Sequence, residues 1–384
     1  MKGIGIKKKH LGMSLDVGPH REKSRILVVL VAGIGDTVLA SKSLRYLRNG
    51  HPEAEIHLLA NTEAIPIASH FPAVNRVWAF PIRELRKSKK HLLQVAKLIW
   101  RMRKMHYSMV LNLYRVDTRS GAFKMGLLFL LLGAKVRIGH DCNGLGVFLT
   151  RKLPAEIFRN RHVCDAMTDV AIEAGGVTDD RGIQISWDHE SEIKWGYLFS
   201  NDSAGCRNIV ALNPGGDRQN RRWSPENYAA VADRLISDFG AKVILLGGPG
   251  EEDIALGIEN RMTNQPTNLA GQLGLSDLVY IISRVDLLVT NDSGPMHIGA
   301  ATGTPLVAIF GPEDPSVHGP CTKPEHFRIV IKEVNCRPCR KSVCREITCI
   351  KRIHPDDVYE RCKEFLGVRE SSRKKSLSVD NITE

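Results

Sequence analysis

Thr290-Asn291-Asp292-Ser293-Gly294-Pro295-Met296-His297 follows the apolar run Leu287–Val289, and a small-residue stretch, Ile298–Gly303, separates it from a second apolar run, Leu306–Phe310. A β-branched run, a polar turn, a helical stretch and another β-branched run make a parallel β–α–β unit. Pro295 suits the first helical turn, and Asp292 or Ser293 can cap it. The free N–H groups of such a helix start attract anions. His297 lies about one turn in, on a face that can turn back to the strand end.

Outward from this unit the same rhythm fills 384 residues, enough for two domains of ordinary size. Strands are expected at Ile26–Val31, Glu55–Ala60, Arg76–Phe80, Met109–Leu113 and Lys135–Ile138, then at Ile209–Asn213, Lys242–Leu246, Leu287–Thr290 and Leu306–Phe310. Helices are expected at Thr37–Arg48, His91–Met105 and Gly121–Leu132, then at Pro225–Phe239, Glu251–Arg261, Ser276–Ser283 and Pro295–Ala301. The fold class is therefore α/β: two Rossmann-like domains facing a central cleft, with ligands at the carboxyl ends of the strands. The expected division is a basic arm at 1–24, a first domain at 25–187, a linker at 188–207, a second domain at 208–368 and a polar tail at 369–384.

Net charge is +12, but it is local. Segments 1–25, 83–104 and 336–352 carry +5, +8 and +5, leaving −6 for the rest. Such patches suit an anionic partner at particular faces. Aromatic residues are only 6%, and no nucleic-acid module is recognisable, so nucleic acid is not an expected partner. The opening MKGIGIKKKHLGMSLDVGPHREKSR lacks the apolar core of a secretory signal. The most apolar run, Gly126–Ala134, is far shorter than the roughly 20 residues of a spanning helix and is expected as a buried amphipathic or core helix. The expected location is the cytoplasm, with the inner membrane surface within reach.

Three further loops carry chemistry. The first strand runs into Ala32-Gly33-Ile34-Gly35-Asp36-Thr37, where Val38 replaces the third glycine of a dinucleotide fingerprint. Asp36 there either caps the following helix or acts as a general base. Asn213-Pro214-Gly215-Gly216 closes a second-half strand and precedes Arg218, Arg221 and Arg222, whose guanidinium forks match phosphate oxygens. Leu246-Gly247-Gly248-Pro249-Gly250-Glu251-Glu252 ends the neighbouring strand, where a carboxylate can accept ribose hydroxyl hydrogens.

GIGDTVLA, NPGGDRQNRRWSPENYAAVA, VILLGGPGEE and LLVTNDSGPMHIGAATGTPLVAIFGP together resemble glycosyltransferase family 9, the lipopolysaccharide heptosyltransferases of Gram-negative bacteria, from about Arg25 to about Gly367. The resemblance implies a GT-B fold with an acceptor-binding first half and a nucleotide-sugar-binding second half. It also implies metal-independent, inverting transfer of heptose from ADP-L-glycero-D-manno-heptose to a lipopolysaccharide core acceptor. By motif position Asp36 would be the base, while Arg221, Asp292, Ser293, Gly294 and His297 would hold the donor. Glu251 or Glu252 would meet the ribose, and the turns Gly33, Gly35, Gly215 and Gly216 would shape the cleft. Arg221 stands where the family usually has lysine, which exchanges a point cation for a planar fork. Within this fold, another sugar nucleotide as donor or a sugar-nucleotide epimerase remains an alternative. A nucleotide-binding membrane scaffold is the non-enzymatic one. A cleft that must close favours a monomer.

Residues Arg83–Met105 mix cations with Leu92, Val95, Leu98, Ile99, Trp100 and Met102. They suit a helix packed by one face, or a surface for phosphorylated core sugars and anionic membrane. Cys336, Cys339, Cys344 and Cys349 could together bind a structural zinc or iron–sulfur cluster, although the later spacings are not those of a standard ribbon, or they are reduced structural thiols or an occasional disulfide; catalysis would need no cofactor. Cys142, Cys164, Cys206, Cys321 and Cys362 have no motif partners and read as small core residues.

Overall fold

Each apolar rhythm folds into one six-stranded parallel sheet in a computed structural model that describes residues 24–154, 161–200, 208–339, 341 and 343–380. In the first half β1 (Arg25–Leu30), β2 (Glu55–Asn61), β3 (Arg76–Phe80), β4 (Met109–Asn112), β5 (Val136–Asp141) and β6 (Arg151–Pro154) lie in the order β3-β2-β1-β4-β5-β6. In the second, β7 (Asn208–Asn213), β8 (Ala241–Leu245), β9 (Thr267–Asn268), β10 (Leu287–Asn291), β11 (Leu306–Phe310) and β12 (Phe327–Ile331) lie in the order β12-β11-β10-β7-β8-β9. Counted from its own first strand, each sheet has the dinucleotide-fold order 3-2-1-4-5-6. Strand order reverses between β1 and β4, and again between β7 and β10. The loops quoted above follow β1, β7 and β10, so both switch points carry the predicted chemistry.

The central strands are continuous apolar runs because helices cover both faces of a parallel sheet. Three edge strands, β6, β9 and β12, escaped the sequence reading; their residues are half-exposed or exposed apart from Val330, so no unbroken apolar run marks them. The helices Val163–Glu173 and Pro355–Asp380 were also not anticipated. The latter carries helix through the stretch expected as a polar tail, and residues 381–384 lie outside the described residues.

Composition conceals the packing of two further stretches. The 188–200 part of the expected linker is packed: it holds the helix His189–Trp195, Trp195 and Leu198 are buried, and Ser276 Oγ accepts from Asp188 N at 2.7 Å. Its polar composition hid two large apolar anchors. The apolar helix Arg119–Leu132 is a helix as expected, but it packs on one side only. Phe129 and Leu132 are buried, while Phe123, Leu127, Leu130 and Leu131 are exposed. Among the described residues no helix is long and apolar enough to cross a membrane.

Candidate active site

The two switch points meet. Gly35, in the first turn of the helix Ile34–Gly50, lies so close to the helix Gly294–Thr302 that an added Cβ would stand 2.6 Å from His297 Cδ2. Glycine is needed there for the approach itself. Gly33 is the N-cap, and Asp36 stands in the first turn, where the Gly33 N–H favours its charged form. The half-buried carboxylate also feels Arg221 of the second half. Burial raises the Asp36 pKa, while the Gly33 hydrogen bond and the charge of Arg221 pull it down.

Arg221 is the charge common to the site. Its Nη1 stands 3.1 Å from Asp292 Oδ2 and its Nη2 2.5 Å from Glu313 Oε1, while Arg218 Nη1 reaches the same Glu313 oxygen at 3.2 Å. A fork can hold two carboxylates on separate nitrogens, which a lysine in this position would do differently. Arg222 instead points its Nε at Gly216 O, 2.8 Å away, and so supports the glycine turn. Burial pushes the Asp292 carboxyl up to about 6, against the opposing pull of Arg221. Burial drives the His297 imidazole down to about 3, helped by the nearby charges of His162, His318 and Arg221, so the ring is neutral at physiological pH. Arg221 Nε and His297 Nδ1 are buried without a hydrogen-bond partner in the protein, and Asp292 Oδ2 has only its ion pair with Arg221. Buried polar atoms are rarely left so, and a ligand can satisfy Arg221 Nε and His297 Nδ1.

The anion cradle is built by backbone. Ser293 occupies the N-cap of Gly294–Thr302, but its side chain makes no cap hydrogen bond. Its hydroxyl donates to Asn291 O at 3.2 Å and accepts from Asn213 Nδ2 at 3.3 Å. This helix start is therefore left without a side-chain cap hydrogen bond, with Ile34 of the first half packed beside Gly294. Asn291, fully buried, ties the loops together: its Nδ2 donates to Pro214 O at 2.7 Å, and its Oδ1 accepts from Trp223 N at 3.1 Å. Glu251 closes the third side, accepting from Gly216 N at 2.6 Å and Gly248 N at 2.8 Å. A Cβ at Gly215 would stand 2.1 Å from its Oε2. The choice between Glu251 and Glu252 is thereby geometric, because Glu252 packs against Gly271, on the far side of its loop.

Sequence reasoning missed Glu313, His318, Asn291 and His162. Asn291 stood inside a quoted motif; Glu313 follows the Phe310-Gly311-Pro312 turn, a signal that could have found it.

The four clustered cysteines do not form a set with sulfurs all within 4.8 Å, though Cys349 feels Cys336 and Cys344. Cys336 is exposed, Cys339 and Cys344 are half-buried, and Cys349 is drawn into the core by the short helix Thr348–Lys351. The segment braces the site instead: Cys339 N donates to Pro312 O at 2.8 Å, and Asn220 Nδ2 to Lys341 O at 2.8 Å. Among the described residues, one set of three or more His, Cys, Asp and Glu side chains has donor atoms all within 4.8 Å: His162, Cys164 and Cys321. Cys164 and Cys321 are thus partners rather than isolated core thiols. Cys142 and Cys362 are buried as expected, and Cys206 lies outside the described residues.

Residues 95–349 match glycosyltransferase family 9 (heptosyltransferase). Lipopolysaccharide heptosyltransferase 3 of Escherichia coli is 26% identical over 290 residues, which cover 73% of this chain and 81% of the relative. Among solved structures, the ADP-heptose lipopolysaccharide heptosyltransferase II of E. coli superposes with a TM-score of 0.70 at 22% identity, over 90% of this chain and 99% of that one. A family 9 glycosyltransferase from Veillonella parvula superposes with a TM-score of 0.75 at 24% identity, over 91% and 99%.

Proposed function

The chain belongs to glycosyltransferase family 9, and from that premise we propose that it transfers heptose from ADP-L-glycero-D-manno-heptose to a lipopolysaccharide core acceptor, with inversion and without a catalytic metal. The observation that carries this reading is the contact between the Gly33–Asp36 loop and His297 under the charge of Arg221. It sets one carboxylate of the first half against the anion cradle of the second.

In the proposed reaction an acceptor hydroxyl attacks the anomeric carbon as the bond to the β-phosphate oxygen breaks. Asp36 takes the hydroxyl proton, and ADP leaves from the opposite face. One base suffices, because a single displacement removes one proton and inverts the centre. Charge grows on the departing diphosphate, where Arg221, Arg218 and the uncapped start of Gly294–Thr302 are already placed. Neutral His297 and Asp292, beside Arg221, are suited to the sugar hydroxyls. Glu251, held by two backbone N–H groups, keeps lone pairs for the ribose.

The acceptor is membrane-borne in this reading, and the first half has a face for a membrane. Leu92, Leu93 and Trp100 of the helix Leu92–Arg103 and Phe123, Leu127 and Leu130 of the adjacent Arg119–Leu132 are exposed among exposed Lys97, Arg101 and Lys124. Apolar side chains ringed by cations suit the anionic cytoplasmic leaflet, on which we place a monomer.

The test is twofold. ADP should raise the melting temperature more than UDP, GDP or CMP, and ADP should be released from the ADP-sugar only when a heptose-deficient core acceptor is present. Preference for UDP would redirect the donor; conversion of the sugar nucleotide alone would make the protein an epimerase.

A further inference from the structure

Cys164 sits in the first turn of the helix Val163–Glu173, in the first half, and is fully buried. Cys321 lies three residues beyond the helix Pro315–His318, in the second half, and is half-exposed. Their sulfurs and a His162 ring nitrogen lie within 4.8 Å of one another, and the Cys164 thiol donates to Leu39 O at 3.7 Å. The imidazole is fully engaged: Nδ1 accepts from Cys164 N at 3.1 Å, and Nε2 is 2.9 Å from Gly319 O, which only accepts. Nε2 therefore carries the proton, and no ring lone pair is left for a metal ion. What remains is a pair of thiols in contact across the two halves, with Lys42 as the nearby cation and Asp165 and Tyr46 facing the same space.

We infer that Cys164 and Cys321 are a redox site, at which a peroxide converts the thiol pair into a disulfide that ties the helix Val163–Glu173 to the segment after Pro315–His318. Cys321 is the attacking sulfur. The nearby Cys164 and then His162 favour its thiolate, while the neighbouring Cys321 and then burial push the Cys164 thiol up. Accessibility agrees, since only Cys321 reaches solvent. The thiolate attacks one peroxide oxygen, the O–O bond breaks, and the second oxygen leaves as water after taking a proton. Cys164 then attacks the resulting sulfenic sulfur, the S–O bond breaks, and a second water departs. Two thiols lose two electrons and the peroxide gains two.

His162 acts electrostatically on His297, so the link would form beside the proposed donor site. Its effect on turnover rests on the cleft reading above; its formation does not. The protein is treated with hydrogen peroxide, remaining thiols are alkylated, and peptides are mapped by mass. The expected product is a peptide pair joined through Cys164 and Cys321, lighter by two hydrogen atoms and split by a thiol reductant. Turnover should fall by about tenfold because motion of the two halves gates the reaction, and reductant should restore it. Cys321→Ser should keep wild-type turnover and lose the peroxide response; Cys164→Ala, a buried change, serves as the second variant. Peroxide mapping that finds only Cys336, Cys339 and Cys344 modified would overturn the inference. So would one bound zinc per chain that disappears in Cys321→Ser. A joined peptide without loss of turnover would leave the redox site standing and count against the cleft reading.

Discussion

The loop after β1 and the loop after β10 stand at equivalent places in two sheets of the same topology, yet they carry opposite chemistry. The first has an acidic residue, Asp36, in its opening helical turn; the second has none, and its helix start is left without a side-chain cap. An acid in the first turn complements the helix dipole, and its absence leaves that dipole for a ligand's charge. One fold unit, used twice, therefore sets an acidic residue on one side and a helix start without a side-chain cap on the other, which in the proposed reaction serve as base and anion cradle. Arg221 belongs to the second half but acts on Asp36 in the first.

The comparison can be broken from either side. Asp36→Asn should lower turnover by roughly 10²- to 10⁴-fold, as loss of a general base does, while calorimetry finds ADP affinity unchanged. Wild-type turnover should fall on the acid side at a pH above the ordinary carboxylate range, because burial raises Asp36. Arg221→Ala should do the reverse. ADP affinity should weaken by about 1.5–3 kcal/mol, the range for a hydrogen bond to a charged group.

Asp292 sharpens the comparison through stability. Its folded pKa, about 6, exceeds its ordinary value of 3.8, so the folded protein holds that proton more tightly. The stability Asp292 contributes is present below pH 3.8 and is lost as pH rises through about 6. Asp292→Asn should therefore gain stability relative to wild type from pH 4 to pH 7, on the order of 1–2 kcal/mol by thermal unfolding. Equal slopes for the two proteins would contradict a buried, strained carboxylate. The smallest effect concerns the outer face of the first half. Phe123→Glu with Leu130→Glu should cut binding to anionic vesicles about threefold or more and leave ADP affinity untouched.

The two halves also differed in legibility. Arg76–Phe80, Pro225–Phe239 and Leu306–Phe310 were read to the residue, because apolar runs and caps mark their ends. β6 and β12 were not read, since Arg151 and Lys152 make half of the one and Arg328 interrupts the other. At the site, the residues within the glycine-rich motifs were found. Glu313, His318 and the Cys164–Cys321 pair were not, because folding brings them together from distant segments and no spacing records it.

The division of labour between the halves is tested most directly by a crystal structure with bound ADP-sugar. The account predicts the diphosphate at the start of the helix Gly294–Thr302 within hydrogen-bond reach of Arg221, with Asp36 facing the anomeric carbon from the opposite side. A diphosphate seated on the Gly33–Asp36 loop, with Asp36 turned away from the sugar, would contradict it.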